Sequence, residues 1–326
     1  IKFGTDGWRA VMCDQFTFAN VRIVCQAIAQ YLLDTGAKAP ILIGHDTRFL
    51  AEEFAHQAAE VLMGNGIPVL AHGVLERKSP GGIMFTASHN PPAYNGIKFI
   101  PHYGGPATTE ITGAIEENLA KRASIHQMTL AEGKEKGLWE EIQLGESYLT
   151  DIMDIIDFNQ IRQAKLNIII DPMYGAGRRF LPQLLELSGC QVQAIHTTRD
   201  PLFGGLYPEP AQHQLGELIT LVKEQGAHLG LATDGDGDRF GVIDSDGTYF
   251  TSNQVLVLLL AHLIQNKGRQ GAVVRTVATT HMLDALAAQF GLEVHETPVG
   301  FKHIAQLMGE KEILIGGEES GGLSIG

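Results

Sequence analysis

A serine hydroxyl follows a predicted strand in the first third of the chain. The apolar run GIMF at 82–85 predicts a short strand, and TASHNPP at 86–92 predicts a stiff polar turn after it. Ser88 lies in this turn, His89 follows it, and Lys98 comes ten residues later. A hydroxyl among basic groups can accept a phosphoryl group whose charge the cations stabilise. The turn therefore indicates a phosphoryl-carrying site, and an ordinary Asn-Pro turn is the alternative.

A second loop combines three carboxylates with glycines, in the sequence TDGDGDRFG at 233–241. Carboxylates at alternate positions raise one another's pKa unless a cation lies between them. Hard oxygen ligands favour Mg²⁺ or Ca²⁺, but an EF-hand needs Gly at loop position six and Glu at position twelve. Counted from Asp234, those positions hold Arg239 and Ser245, which excludes an EF-hand. The loop predicts a Mg²⁺ site with room for a phosphate, and a solvated acidic turn is the alternative.

A third loop, LIGGEESGG at 314–322, again follows a short apolar run. Glu318 and Ser320 on such a loop can hydrogen-bond to sugar hydroxyls. The signal is weak alone, because glycine-rich turns with Glu and Ser are common.

The three loops occupy equivalent places in a long internal repeat. Each unit has the predicted order strand, helix, strand, helix, strand, loop. The loop that carries the candidate site residues follows the third strand. Open α/β sheets bind ligands at the carboxyl ends of their strands. The predicted fold is therefore α/β, with three consecutive similar α/β/α domains and mixed sheets around a shared active-site cleft. The predicted domains are 1–147 with the serine, 148–250 with the metal site and 251–326 for sugar recognition, and a helix at 148–158 bridges the first two.

Together with FGTDGWR at 3–9, the three loops resemble those of the α-D-phosphohexomutase superfamily, and most closely its bacterial phosphoglucomutase and phosphomannomutase members. The resemblance covers essentially the whole chain. It implies that Ser88 is a phosphoserine that also contacts Mg²⁺, and that three aspartates are the other metal ligands. It further implies that a catalytic set lines the transfer site and that another set binds substrate. These residues are Asp234, Asp236 and Asp238 for the metal; Arg9, His89, Lys98 and Arg239 for transfer; and Glu318, Ser320 and Lys302 for the sugar.

The activity implied by the resemblance is the interconversion of glucose 1-phosphate and glucose 6-phosphate. It proceeds through a hexose 1,6-bisphosphate, which also acts as activator. Residues 319–322, ESGG, resemble the glucose-preferring members, whereas dual-specificity members commonly have His in place of Gly322. A phosphomannomutase or dual-specificity mutase is the first alternative. A metal-dependent sugar phosphatase or nucleotidyl transferase and a non-catalytic sugar-phosphate sensor are the others.

The sequence departs from the family pattern in two places. Family members continue into a fourth domain that grips the non-transferring phosphate, whereas this sequence stops at Gly326. The segment 66–81 is also short for the family, so residues are expected to be missing between Leu70 and Ser79. With Ile1 at its start, the sequence is expected to be a fragment, or the ordered part of a longer chain. A chain ending at Gly326 is expected to bind Mg²⁺ but to turn over poorly.

Composition limits the remaining classes of function. The 326 residues are 44% hydrophobic and 19% charged, which is ordinary for a soluble enzyme. No apolar run reaches the ~18 residues of a membrane helix. The net charge of −13 argues against a nucleic-acid partner. Three widely spaced cysteines indicate a reduced, cytoplasmic protein. The sequence does not indicate an oligomeric state.

Overall fold

The computed structural model describes residues 1–3, 7–37, 39–71, 79–142 and 145–326. Within them, three α/β units follow one another along the chain, and each has a mixed sheet flanked by helices. The prediction of three consecutive α/β/α domains is confirmed. Part of the FGTDGWR motif (4–6) and most of the short segment before Ser79 (72–78) lie outside the described residues.

The first unit carries the predicted phosphoryl-accepting serine. Its strands are β1 (Gly7–Val11), β2 (Ile41–His45), β3 (Val69–Ala71), β4 (Gly81–Phe85), β5 (Tyr94–Pro101) and β6 (Trp139–Glu141), and its helices are α1 (Phe18–Asp34), α2 (Ala51–Gly64), α3 (Thr109–Lys121) and α4 (Leu130–Glu135). The strand order is β1-β5-β4-β2-β3-β6. Strands β4, β2, β3 and β6 are parallel, whereas β5 is antiparallel to both of its neighbours.

Local sequence explains the elements that support this site. The Ile41-Leu42-Ile43 run of β2 is fully buried, as expected for a parallel strand covered on both faces. Helix α1 begins after Thr17, whose side chain accepts a hydrogen bond from the N–H of Asn20. Aromatic residues from α2 and β4 are buried in the same core. Burial of each large apolar side chain contributes about 1.5–3 kcal/mol to the free energy of folding. This core therefore stabilises the sheet edge that carries Ser88.

The second unit carries the acidic loop. Its helices are α5 (Gly145–Ile155), α6 (Phe158–Ala164), α7 (Phe180–Leu187) and α8 (Gly216–Gln225), its strands are β7 (Asn167–Asp171), β8 (Gln191–Ala194), β9 (Leu229–Thr233), β10 (Phe240–Asp244) and β11 (Tyr249–Phe250), and 3₁₀ turns occur at Ala176–Arg178, Phe203–Gly205 and Gln212–Gln214. The strand order is β11-β10-β9-β7-β8. Strands β9, β7 and β8 are parallel, and β10 returns antiparallel to β9.

The predicted helix at 148–158 is confirmed from 148 to 155 and wrong beyond that point. Helix α5 ends at Ile155, and α6 begins at Phe158. The side chain of Asp157 accepts a hydrogen bond from the N–H of Asn159, so it caps a new helix instead of continuing the old one. Within α5, Leu149 is buried whereas Ile155 at the end of the helix is 82% exposed.

The third unit has a four-stranded sheet, one strand fewer than the second. Its elements are α9 (Ser252–Gln265), β12 (Ala272–Thr276), α10 (Met282–Gln289), β13 (Val294–Thr297), α11 (Phe301–Glu310), β14 (Ile313–Gly317) and β15 (Leu323–Ile325). The strand order is β13-β12-β14-β15, and only β15 is antiparallel to its neighbour. All five residues of β14 are buried, which fixes the strand that leads into the Glu318 loop.

In each unit the third parallel strand lies beside the first. Strand β4 pairs with β2, β9 pairs with β7, and β14 pairs with β12. The loops that carry Ser88, Asp234 and Glu318 therefore begin at equivalent edges of the three sheets, where α/β folds bind ligands. None of the helices in the described ranges has the length and apolar character needed to cross a membrane.

Candidate active site

The Ser88 turn holds its hydroxyl in one place. Ser88 follows β4 by three residues, is 2% exposed, and has a left-handed backbone with φ of 49°. Its N–H donates to Thr86 Oγ1 at 2.8 Å. A non-glycine residue in this backbone region costs free energy, so the surrounding hydrogen bonds must maintain the turn.

The hydroxyl of Ser88 reaches across to the second unit. Its Oγ donates to Asp234 Oδ2 at 2.8 Å and lies 3.4 Å from His89 Nδ1. The other oxygen of Asp234 accepts from the N–H groups of Gly237 and Arg239, at 2.9 and 3.0 Å. The predicted serine and the predicted metal loop are thus in direct contact.

The acidic loop has the donor set and the spacing of a cation site. One oxygen each from Asp234, Asp236 and Asp238 lies within 4.8 Å of the others. Among the described residues, Asp236 Oδ1 is buried and makes no hydrogen bond. Burial and the neighbouring carboxylates raise the pKa of Asp234 well above its usual value. An oxygen-binding divalent cation fits this site, because it would bind the orphaned oxygen and relieve the repulsion between carboxylates.

Lys98 in β5 forms ion pairs with two carboxylates of this loop. Its Nζ lies 3.1 Å from Asp236 Oδ2 and 3.3 Å from Asp238 Oδ2. Burial acts to raise the pKa of Asp236, but the charge of Lys98 and its hydrogen bond lower that pKa to about 2. Lys98 therefore joins the first unit to the second at the predicted transfer site.

The other predicted transfer residues surround the same loops. Arg9 Nη1 donates to Asn90 Oδ1 at 3.2 Å, in the Ser88 turn. Arg239 Nη1 lies 3.8 Å from Glu209 Oε1. Burial, and then the charge of Arg239, lower the pKa of His89 to about 4, so its imidazole is neutral at pH 7.

The Glu318 loop contains a carboxylate oxygen that accepts no hydrogen bond from the described residues. Ser320 Oγ donates to Glu318 Oε1 at 2.7 Å, whereas Glu318 Oε2 is buried with no hydrogen-bond partner in the described part of the chain. Glu319 has a different role, since its Oε2 accepts from Thr276 and Thr279 at 3.2 and 3.3 Å. Glu318 thus has one carboxylate oxygen without a hydrogen-bond partner among the described residues, while Glu319 fixes the loop to β12.

One cleft of about 1390 Å³ receives the loops of all three units. The predicted residues that line it are Arg9, Ser88, Lys98, Asp238, Arg239, Lys302, Glu318 and Ser320. The remaining predicted residues are His89, Asp234 and Asp236, which are not among the residues that line the cleft. His89 and Asp234 contact Ser88, and Asp236 contacts Lys98. Lys302 donates to Thr109 Oγ1 at 3.4 Å, which connects the third unit to the first.

The sequence analysis missed a buried layer beneath Ser88. Asp46 Oδ2 accepts from Thr86 Oγ1 at 2.7 Å, and burial raises the pKa of Asp46 to about 6. Arg48 is fully buried and donates to the carbonyl of Ser88 at 2.6 Å. Asp46 follows β2 directly, so the rule that polar residues at strand ends form sites could have identified it. Arg48 lies two residues further along the same loop.

Comparison with known proteins defines the class. Family models described as phosphoglucomutase/phosphomannomutase, alpha/beta/alpha domains I, II and III, match residues 1–126, 146–247 and 251–326. These matches cover most of the chain in the same order as the three structural units. The chain belongs to the phosphoglucomutase/phosphomannomutase family.

Individual relatives carry different substrate names. The chain is 29% identical to a phosphoglucomutase/phosphomannomutase of Thermococcus kodakarensis, over 98% of this chain and 72% of that protein. It is 31% identical to a probable phosphoglucosamine mutase of Pyrococcus furiosus, over 98% and 70%. The crystal structure of a putative phosphomannomutase from Thermus thermophilus superposes with a TM-score of 0.91 at 35% identity, over 100% and 75%. The chain spans 65% to 75% of the length of its relatives.

Proposed function

We propose that this protein is a phosphohexomutase that moves a phosphoryl group between the 1 and 6 oxygens of a hexose. Ser88 carries the group, and a hexose 1,6-bisphosphate is both intermediate and activator. The observation that carries the proposal is the 2.8 Å contact between Ser88 Oγ and Asp234 Oδ2, beside a cleft that Ser88, Glu318 and Ser320 line. A carrier hydroxyl, a cation site and a sugar-binding loop thus share one space.

The proposed transfer exchanges one phosphorus–oxygen bond for another. A hexose monophosphate hydroxyl loses its proton and bonds to phosphorus, while the bond from phosphorus to Ser88 Oγ breaks and Ser88 Oγ takes up a proton. The resulting bisphosphate turns around. Ser88 Oγ then loses its proton and bonds to the other phosphorus, the bond from that phosphorus to the sugar oxygen breaks, and the sugar oxygen takes up a proton as the isomeric monophosphate leaves. Lys98 is the candidate general acid and base, and Arg9 and Arg239 stabilise charge on the moving group.

Mg²⁺ is the proposed metal because the donors are carboxylate oxygens. Asp234, Asp236 and Asp238 would hold it together with an oxygen on Ser88. Bound there, it would neutralise charge on the transferring phosphoryl group. The buried, unpartnered Asp236 Oδ1 supports this assignment.

Glucose phosphates are the proposed substrates, with Lys302 contributing to recognition of the sugar face. A Cβ at Gly322 would lie 3.2 Å from Phe301 Cδ2 and 3.5 Å from Glu318 Oε1. The absence of a side chain there leaves space beside the proposed sugar-binding carboxylate. The name of the Pyrococcus furiosus relative makes glucosamine phosphate the second candidate.

One coupled assay tests the proposal and separates its alternatives. Glucose 1-phosphate, mannose 1-phosphate and glucosamine 1-phosphate are each supplied with Mg²⁺ and a trace of glucose 1,6-bisphosphate. A mutase yields the 6-phosphate with little free phosphate, and intact-mass analysis shows one phosphate on Ser88. Free phosphate as the main product would favour a phosphatase, and the absence of both products would favour a sugar-phosphate sensor.

The proposed location is the cytoplasm. Cys13 is free and exposed, and Cys25 and Cys190 are free and buried. Free thiols persist in a reducing compartment, which supports the proposal. Fractionation of cells that express the protein would test it.

A further inference from the structure

Arg48 makes an unusually complete set of hydrogen bonds for a charged residue with no exposed surface. Its Nε lies 3.2 Å from Asp46 Oδ2. Its four terminal N–H groups donate to main-chain carbonyls of the Ser88 turn. The acceptors are Ser88 and Asn90 at 2.6 Å each, Pro91 at 2.8 Å and Tyr94 at 3.0 Å. All five guanidinium donors are therefore used, which an ammonium group could not reproduce.

These bonds hold the strained part of the turn. Ser88 has a left-handed backbone, which costs on the order of 1–3 kcal/mol outside glycine. Arg48 holds its carbonyl, and Thr86 holds its N–H. The direction in which the Ser88 hydroxyl points therefore depends on a residue that does not line the cleft.

The second unit covers the face of the same guanidinium. The ring centroid of Phe203 lies 5.1 Å from Arg48 Cζ, and Phe203 is 1% exposed. Five residues later, the carbonyl of Pro208 accepts from the N–H of Gly235 at 3.2 Å. A Cβ on Gly235 would lie 2.7 Å from the carbonyl oxygen of Ser88. The loop that bears Phe203 thus also supports the acidic loop, at the point where that loop meets Ser88.

We propose that Arg48 and Phe203 form a clamp that sets the distance between the Ser88 hydroxyl and the acidic loop. Arg48 is then a positioning residue for phosphoryl transfer, and Phe203 is its counterpart on the second unit. This inference rests on the proposed function. Because the clamp acts on geometry and contacts no substrate, its loss lowers kcat and leaves KM nearly unchanged.

The variants are Arg48→Lys, Phe203→Leu and the double variant. Arg199→Gln is the matched control, since Arg199 pairs with Glu52 across the same two units at 3.3 Å but contacts neither loop. The measured quantities are kcat, KM, and the rate at which glucose 1,6-bisphosphate phosphorylates the dephosphorylated enzyme, followed by intact mass. A melting curve of each variant accompanies them.

We expect Arg48→Lys to lower both rates by ~10–100-fold and Phe203→Leu by ~3–10-fold, on the scale of a small misplacement of reacting groups. KM changes less than twofold, and the double variant is no slower than Arg48→Lys, because both changes open the same clamp. Arg199→Gln keeps wild-type rates. If Arg48→Lys does not fold, Phe203→Leu decides the question, because the leucine retains an apolar contact.

Three results would overturn the inference: the first overturns the proposed function as well, and the other two overturn the clamp alone. Wild-type enzyme that takes no phosphate onto Ser88 overturns the proposed function and the clamp with it. Wild-type enzyme that is phosphorylated, beside a folded Phe203→Leu variant phosphorylated equally fast, overturns the clamp alone. A Phe203→Leu variant that loses rate only through a raised KM does the same.

Discussion

Replacing Lys98 with methionine should loosen the junction between the first two units and slow the reaction. Lys98 is 13% exposed and makes ion pairs with Asp236, which is 6% exposed, and Asp238, which is 55% exposed. Methionine has a similar length and no charge, so the change leaves Asp236 buried with an uncompensated charge. The lost free energy weakens the contact between the two units, because the lysine belongs to the first unit and the aspartates belong to the second.

The size of the effect follows from burial. Removing one partner of a buried pair costs about 3–5 kcal/mol. Because Asp238 is partly solvated, we take the lower end, about 3 kcal/mol. For a cooperative unit of 150–250 residues, that corresponds to a decrease of about 6–12 °C in melting temperature. Turnover should fall by ~10²-fold or more, the scale of a lost general acid–base group.

The assay is a pair of melting curves in EDTA and in Mg²⁺. Lys134→Met is the matched control, because Lys134 pairs with Glu141 at 3.2 Å while both side chains are more than half exposed. An exposed pair contributes little, so the control should melt close to wild type. Mg²⁺ should stabilise Lys98→Met more than wild type, since a cation at the triad replaces the lost positive charge. Equal shifts for the two variants, or equal stabilisation by Mg²⁺, would refute the reasoning.

Three further changes test the site. Ser88→Ala should remove nearly all mutase activity and the covalent phosphate seen by intact mass, while its melting curve stays cooperative; an active, unphosphorylated variant would contradict the carrier role. Asp236→Asn should weaken Mg²⁺ binding measured by calorimetry and lower turnover at saturating sugar, and an unchanged Mg²⁺ affinity would exclude Asp236 as a metal ligand. Gly322→His should lower kcat/KM for glucose 1-phosphate relative to mannose 1-phosphate, because the new side chain must displace Phe301 beside Glu318; an unchanged ratio would place specificity elsewhere.

Apolar runs predicted the elements that position the site. Strands β2, β4, β9 and β14 fall where short buried runs end at polar loops, because a parallel strand covered on both faces needs continuous apolar residues. The repeat then placed the three loops at equivalent sheet edges. Proximity of Ser88 to Asp234, 146 residues apart in sequence, follows from that repeat and from the resemblance to known mutases.

The burial of Arg48 and Phe203 was beyond such patterns. Arg48 has the residue type that is almost never fully buried, and only the five acceptors around it make its burial favourable. Phe203 lies in a loop rich in glycine and proline, where composition predicts exposure. The polar stretch at 123–137 is typical of a linker out of the first domain, yet β6 after it pairs with β3. These features depend on long-range contacts that local sequence does not encode.

Local charge balance explains how a chain with a net charge of −13 can bind phosphosugars. The transfer site brings three carboxylates together with three cationic side chains. They are Asp234, Asp236 and Asp238, and Arg9, Lys98 and Arg239. His89 adds no charge at pH 7, because its pKa is lowered to about 4. The charges of these six side chains balance when all six are ionised, and a divalent cation at the triad would add positive charge that favours a phosphoryl dianion. The acidic surface elsewhere does not alter this balance, because screening limits its reach to about 8 Å at physiological ionic strength.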